Sequence, residues 1–171
     1  MKRALILSIV VAAMGLSGCG PKEDPSIAIA AAEEAARVKA ERQETFGAAA
    51  QAEDITWRPS GLGVRVDAPG EGAVPQLADT VRVHYVGTLK DGTVFDESRS
   101  KGTPRDFPLR HVMASWAAGL SQIKEGGRIT LFVPPSLGYG GQRAGNIPPN
   151  SGLIFEIELL AINPEPLPKA K

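Results

Sequence analysis

Residues 150–160, NSGLIFEIELL, alternate strictly: Leu153, Phe155, Ile157 and Leu159 fall on one side of an extended chain, and Ile154, Glu156, Glu158 and Leu160 on the other. A two-residue period marks a half-buried strand and does not fit an amphipathic helix, so the apolar side needs a cover. The same period recurs upstream. In GLGVRV, Leu62, Val64 and Val66 share a face; in TVRVHYVG, Val81, Val83 and Tyr85 oppose Arg82 and His84; in GRITLFVPP, Ile129, Leu131 and Val133 line up. Turn chemistry separates these runs: APGEG around Gly70, KDGT at Asp91 and Gly92, and Pro134 with Pro135. Short strands joined this way predict an antiparallel sheet with one face solvated. One segment changes period. In HVMASWAAGLSQIKEGG, Val112, Trp116, Leu120 and Ile123 recur at helical spacing, and Gly126 with Gly127 closes the run. This predicts one short helix laid across the sheet, over Tyr85 and Phe155.

The N-terminal part lacks that texture. From Gly20 to about Ala52 the chain is rich in Ala, Glu, Lys, Arg and Gln, all strong helix formers, with Glu33 and Arg37 four apart in the favourable order. Large apolar residues are too few to mark a packed face, so the segment reads as a solvated, partly helical spacer; a dimerising helix is the alternative. Before it, Lys2 and Arg3 lead into ALILSIVVAAMGL and small residues, the layout of a secretory signal peptide. The apolar run is shorter than the roughly 20 residues a membrane-spanning helix needs. LSGC, Leu16 to Cys19, resembles the bacterial lipobox. That resemblance implies cleavage before Cys19 and acylation of Cys19 as the membrane anchor. Several acyl chains hold far more firmly than one, at about 0.8 kcal/mol per buried methylene. Gly20, where an aspartate would accompany inner-membrane retention, directs the expectation to the cell envelope and the periplasmic face of the outer membrane.

Composition narrows the chemistry. A chain of 171 residues with 43% hydrophobic residues is enough for one domain with appendages. Lys+Arg and Asp+Glu balance at 19 each, so there is no broad basic field for nucleic acid, and no nucleic-acid partner is expected. Cys19 is the single cysteine and the two histidines have no cysteine nearby, so neither an internal disulfide nor a zinc spacing is legible, and no metal or cofactor is expected. GxSxG, HExxH and a strand-to-helix phosphate loop are all missing. GYGGQRAG runs into NIPPN and not into a helix, which suggests a flexible surface loop. His84 should point outward from its strand and His111 lies just before the helix; both read as core or surface residues. Aromatic residues are few, five Phe, two Trp and two Tyr, yet Tyr85, Phe95 beside Asp96, Trp116, Tyr139 and Phe155 all lie near turns. An ordinary aromatic core would account for them, and so would a binding slot.

VRVHYVGTLKDGTVFDES, then FPL, VMASW, PPSLGYG and NIPPNSGLIFEIELL resemble, in order and approximate spacing, the FKBP-type peptidyl-prolyl isomerases from about residue 56 to 163. The fold this implies is α+β: a curled antiparallel β-sheet wrapped around one short α-helix, preceded by a partly helical N-terminal spacer. The chain would then divide into a lipoprotein signal peptide (1–18), an Ala/Glu-rich tether (19–55), the isomerase-like domain (56–163) and a Pro/Lys tail (164–171).

Carried across residue by residue, the resemblance implies Tyr85, Phe95, Asp96, Trp116, Tyr139 and Phe155 as catalytic residues and Val112, Met113, Gly138 and Ile147 as substrate-binding residues. Trp116 would be the floor, Phe155 a wall, and Tyr85 and Phe95 the flanks of a proline ring. The Met113 amide and the Tyr139 hydroxyl would meet carbonyl groups, and Asp96 would accept a hydrogen bond from Tyr85. The implied partners are proline-containing polypeptides and an immunosuppressant macrolide inhibitor, besides the membrane through lipidated Cys19; the oligomeric state stays open. The implied activity is prolyl isomerisation in exported proteins, with a proline-binding, chaperone-like module of weak or no turnover as the alternative. The usual VIxGW is here VMASW. Ser115 would be strained if the family's glycine has positive φ, or would cap the helix if φ is negative. The segment LRHVM is two residues shorter than usual, and Arg105 stands where eukaryotic members often carry an aromatic.

Overall fold

The alternation from Leu153 to Leu159 becomes the longest strand of a single antiparallel sheet. The computed structural model describes residues 25–100 and 102–165. Cys19 and the rest of the expected signal peptide lie outside the described residues, as does most of the Pro/Lys tail. The chain divides into two units, Met1–Ala35 and Ala36–Lys171. The described part of the first belongs to helix α1 (Pro25–Phe46), where the Ala-rich composition favours helix without an apolar stripe, and residues 26–35 are all exposed. Among the described residues no helix is long and apolar enough to cross a membrane.

The second unit carries β1 (Thr56–Trp57), β2 (Gly63–Ala68), β3 (Thr80–Thr88), β4 (Val94–Glu97), β5 (Arg105–Pro108), helix α2 (Ala114–Leu120), β6 (Arg128–Val133) and β7 (Leu153–Ile162). The open sheet runs β1-β2-β6-β7-β3, and the far edge of β3 is shared by two strands. β5 pairs with Thr80 to Val83, and β4 pairs with Val86 to Thr88. Between them the ladder is interrupted, and Ser98 fills the break. Its amide donates to the Tyr85 carbonyl at 3.0 Å, and its hydroxyl accepts from the Tyr85 amide at 2.9 Å. A buried N–H with no acceptor is costly, so the side chain does there what a neighbouring strand would do elsewhere.

On the concave face α2 crosses the sheet and buries Trp116 and Leu120, four residues apart, against Val83, Leu131 and Ile157. Gly119 allows the approach, because a Cβ there would collide with the Leu131 side chain. Ile123 follows the helix in a turn and is buried in the same core. Val66 departs from expectation: it shares the alternation of Leu62 and Val64 but is 43% exposed, beyond the cover the helix provides.

The convex face was expected to be solvated, and part of it is not. Phe46, Ile55, Phe132 and Ile154 form a second apolar cluster there, with Trp57 packed on it. Ring centroids of Phe46, Trp57 and Phe132 are 5.7 Å apart in each pair, and the Arg42 guanidinium sits 4.4 Å over the Trp57 ring. Gly47, at φ +67, ends the helix in the left-handed conformation and turns the chain toward Ile55. The segment expected as a tether therefore contributes Phe46 and Ile55 to the folded unit. A lone Phe at the end of an Ala-rich helix carries no period by which to be recognised.

Candidate active site

A cleft of about 620 Å³ opens between α2, the concave face and the loop before β7. Each wall follows from local structure. Strand alternation places Tyr85 from β3, Phe107 from β5 and Phe155 from β7, while β4 brings the consecutive Phe95 and Asp96 to the cleft beside the register shift at Gly87 and Thr88. Trp116 rises from the first turn of α2 as the floor, and the turn before it supplies His111, Val112 and Met113. Tyr139, Ala144, Gly145, Asn146 and Ile147 form the remaining side.

The aromatic rings meet edge to face. Trp116 lies 5.2 Å from Phe155, 5.3 Å from Tyr85 and 5.7 Å from Phe107, centroid to centroid, and Phe95 stands at 90° to Phe155 at 5.5 Å. This packing suits the ring quadrupoles and keeps flat ring faces available to a ligand. The indole N–H of Trp116 is buried among these rings with no conventional acceptor among the described residues. Gly87 makes room for the Phe95 and Phe155 pair: a Cβ there would stand 2.6 Å from Phe95 and 3.1 Å from Phe155.

One polar pair interrupts the apolar lining. The Tyr85 hydroxyl donates to Asp96 Oδ2 at 2.5 Å, while Asp96 Oδ1 accepts from the Glu97 amide at 2.9 Å. Burial first, then the hydrogen bond and charge of Asp96, push the Tyr85 phenol up to about 12. It stays a protonated donor throughout the neutral range. Behind it, the Ser98 hydroxyl also lies 3.0 Å from His84 Nδ1, so His84 faces the sheet edge and not the cleft. The Tyr139 hydroxyl group sits at the rim on a side chain 44% exposed. Met113 caps the start of α2 with its carbonyl, accepting from Trp116 and Ala117 at 2.9 and 3.3 Å. Its own N–H precedes the first helical turn and is outside the helix's bonding pattern.

The loop expected to be flexible is internally bonded. Gly140 donates to Pro135 at 2.8 Å, Asn150 donates to Gly140 at 2.7 Å, and Ala144 and Ile147 exchange backbone bonds at 3.2 and 2.9 Å. These fix Ile147 as a buried lining residue.

Of the site residues inferred from the sequence, Tyr85, Phe95, Asp96, Trp116, Tyr139, Phe155, Val112, Met113 and Ile147 converge on this cleft, and Gly138 does not. Gly138 closes a 3-10 turn by donating to Pro135 at 3.1 Å, and a Cβ on it would stand 3.2 Å from Leu153, so it shapes the loop from behind. Phe107 and His111 were missed. The alternation of Phe107 is hidden in a four-residue strand that ends in proline. Ser115 is neither strained nor a cap: its φ is negative, it is a buried helix residue, and its hydroxyl has no partner among the described residues.

An open antiparallel sheet and one crossing helix thus enclose a cleft lined mainly by aromatic rings. Residues 72–160 match the family model described as FKBP-type peptidyl-prolyl cis-trans isomerase. A probable FKBP-type peptidyl-prolyl cis-trans isomerase of Haemophilus influenzae is 43% identical over 138 residues, covering 80% of this chain and 57% of that relative. The crystal structure of FkpA from Escherichia coli superposes with a TM-score of 0.66 at 39% identity, over 83% of this chain and 65% of that one. A peptidyl-prolyl cis-trans isomerase from Pseudomonas syringae pv. tomato gives 0.62 at 29% identity, over 85% of this chain and 100% of that one. The chain belongs to the FKBP-type peptidyl-prolyl cis-trans isomerase family. It spans about half the length of the curated relatives it matches.

Proposed function

We propose that this chain accelerates cis-trans isomerisation of prolyl peptide bonds in polypeptides. The observation that carries this reading is the cleft itself, walled by Tyr85, Phe95, Phe107, Trp116 and Phe155 and sized for a proline with its neighbours. Rotation about a peptide bond faces a barrier of about 18 to 20 kcal/mol because resonance stiffens the C–N bond. The two prolyl isomers differ little in energy, so the difficulty is kinetic. Planar resonance places negative charge on oxygen, and the twisted state loses much of it. Aromatic walls that strip water from the carbonyl disfavour the planar form more than the twisted one, which lowers the barrier without proton transfer. Tyr85, held by Asp96, keeps the wall in place, and the Met113 amide and Tyr139 hydroxyl are the donors at hand for flanking carbonyls. Asp96 orients and takes no proton.

Isomerisation of a short Leu-Pro peptide by the purified chain tests this. Acceleration that Phe155→Ala and Asp96→Ala both reduce, and that an immunosuppressant macrolide competes away, is expected. A rate equal to the uncatalysed one, with macrolide still bound, would leave a proline-binding module. The lipobox-like LSGC further supports acylation of Cys19 and residence at the periplasmic face of the outer membrane, where exported proteins would be substrates. Mass spectrometry of the N-terminal peptide and fractionation of a Cys19→Ser variant test that; an unmodified, wholly membrane-free protein would overturn it.

A further inference from the structure

The charge around the mouth of the cleft is uneven in a way the balanced composition hides. In β5, Arg105 and Phe107 are two residues apart and so share a face of the sheet. Register confirms it: Arg105 lies opposite Val83 and Phe107 opposite Val81, both turned to the concave face. Arg105 is thus the diagonal neighbour of Tyr85, on the side where Ser98 interrupts the ladder. Its cationic field is felt at the Tyr85 phenol, whose ionised form it favours. Asp106 does not neutralise it, because that carboxylate points to the other face and is taken in a two-pronged pairing with Arg82 at 2.7 and 2.8 Å. His111 lines the cleft, and the exposed Arg143 immediately precedes the lining residue Ala144. Among the described residues no carboxylate pairs with Arg105, His111 or Arg143. The one carboxylate lining the cleft, Asp96, is occupied by Tyr85 and the Glu97 amide.

We propose that Arg105, supported by His111 and Arg143, gives this cleft a preference for polypeptide segments that carry an acidic residue beside the proline. The inference rests on the isomerase reading for its substrate class, but it concerns selection and not turnover. Arg105 lines no part of the apolar slot, so it acts after the ring is seated, on whatever side chain emerges next to it. A partly exposed ion pair of this kind discriminates by roughly two- to five-fold and weakens as salt screens it.

The test uses the full chain and a matched set of peptides with one Leu-Pro bond, flanked on either side by Glu, Gln or Lys. Rates and affinities, the latter from tryptophan fluorescence, are measured at low and high salt. Glu is expected to exceed Gln and Gln to exceed Lys in kcat/KM, with the order compressed by salt. In Arg105→Gln the spread should shrink while the Gln peptide keeps its rate, and the Arg105→Gln, Arg143→Gln double variant should abolish it. Equal treatment of the three peptides by the wild type, or an unchanged spread in the double variant, would overturn the inference. If no peptide is turned over but the same charge order is seen in binding, the inference stands and the isomerase reading falls.

Discussion

Ser98→Ala removes a single oxygen and tests how the cleft is held together. The hydroxyl is fully buried, accepts from the Tyr85 amide at 2.9 Å and lies 3.0 Å from His84 Nδ1. No strand opposes Tyr85 at this point of the β3 edge, and water has no access to replace the lost acceptor. The packing volume lost is small, so the cost is dominated by a buried donor left unmade, about 1 to 3 kcal/mol. For a unit of this size that corresponds to a fall in Tm of roughly 3 to 10 °C. Denaturant unfolding of wild type, Ser98→Ala and the exposed-site control Ser136→Ala measures it, the control being expected within about 0.5 kcal/mol. Amide exchange at Tyr85 should quicken in Ser98→Ala, and turnover should fall because the Tyr85 ring forms a wall of the cleft. A destabilisation below about 0.5 kcal/mol, with Tyr85 exchange unchanged, would refute the view that Ser98 substitutes for a missing strand.

Three further outcomes are expected. Phe46→Ala should cost about 3 to 5 kcal/mol in denaturant unfolding while sparing turnover under conditions where the protein stays folded, since Phe46 is buried against Trp57 and Phe132 on the face opposite the cleft; a loss below about 1 kcal/mol would show that the helix end is not part of the core. Ser115→Ala should raise stability by about 1 kcal/mol, because it removes a buried hydroxyl without a partner and introduces a better helix former; a lower melting temperature would reveal a partner for that hydroxyl. In a Tyr139→Phe background, where Tyr85 is the sole tyrosine, phenolate absorbance should develop in the folded protein near pH 12. The unfolded chain loses that proton near pH 10, so the folded state holds it in between, and stability present below pH 10 should decline as pH rises through this window; folded-state titration near pH 10 would contradict the burial of Tyr85.

How much was legible depended on whether a residue's role was written in a period. Val81, Val83, Ile129, Leu131 and the run from Leu153 to Leu159 occupy the core that alternation assigns them, and Trp116 and Leu120 the helix face that covers it. Val66 obeys the same alternation and is exposed, because alternation fixes a side and not whether something covers it. The positions carried over by resemblance line the cleft except Gly138, whose small size serves the turn behind it. Phe46 was invisible because its burial depends on Phe132 and Ile154, more than 80 residues away in sequence. Ser98 was invisible for a related reason: nothing in ESRS announces that β4 ends before β5 begins on the same edge. Arg105 was noted as a departure and His111 as a core or surface residue; strand register is what turns Arg105 to the concave face, and His111 is found lining the cleft.

The two apolar clusters are built back to back on the same pair of strands. Leu131 and Phe155 are paired on the cleft side, and their sequence neighbours Phe132 and Ile154 are paired on the side that Phe46 covers. A pull exerted at the Phe46 end of α1 would therefore be taken at the middle of the sheet, on the ladder of β6 and β7, and beside it at the β3–β4 turn, where Lys90 donates to the Glu44 carbonyl at 3.1 Å. Such a load path enters the domain on the face opposite the cleft, as a mooring line is made fast on the side away from the hatches.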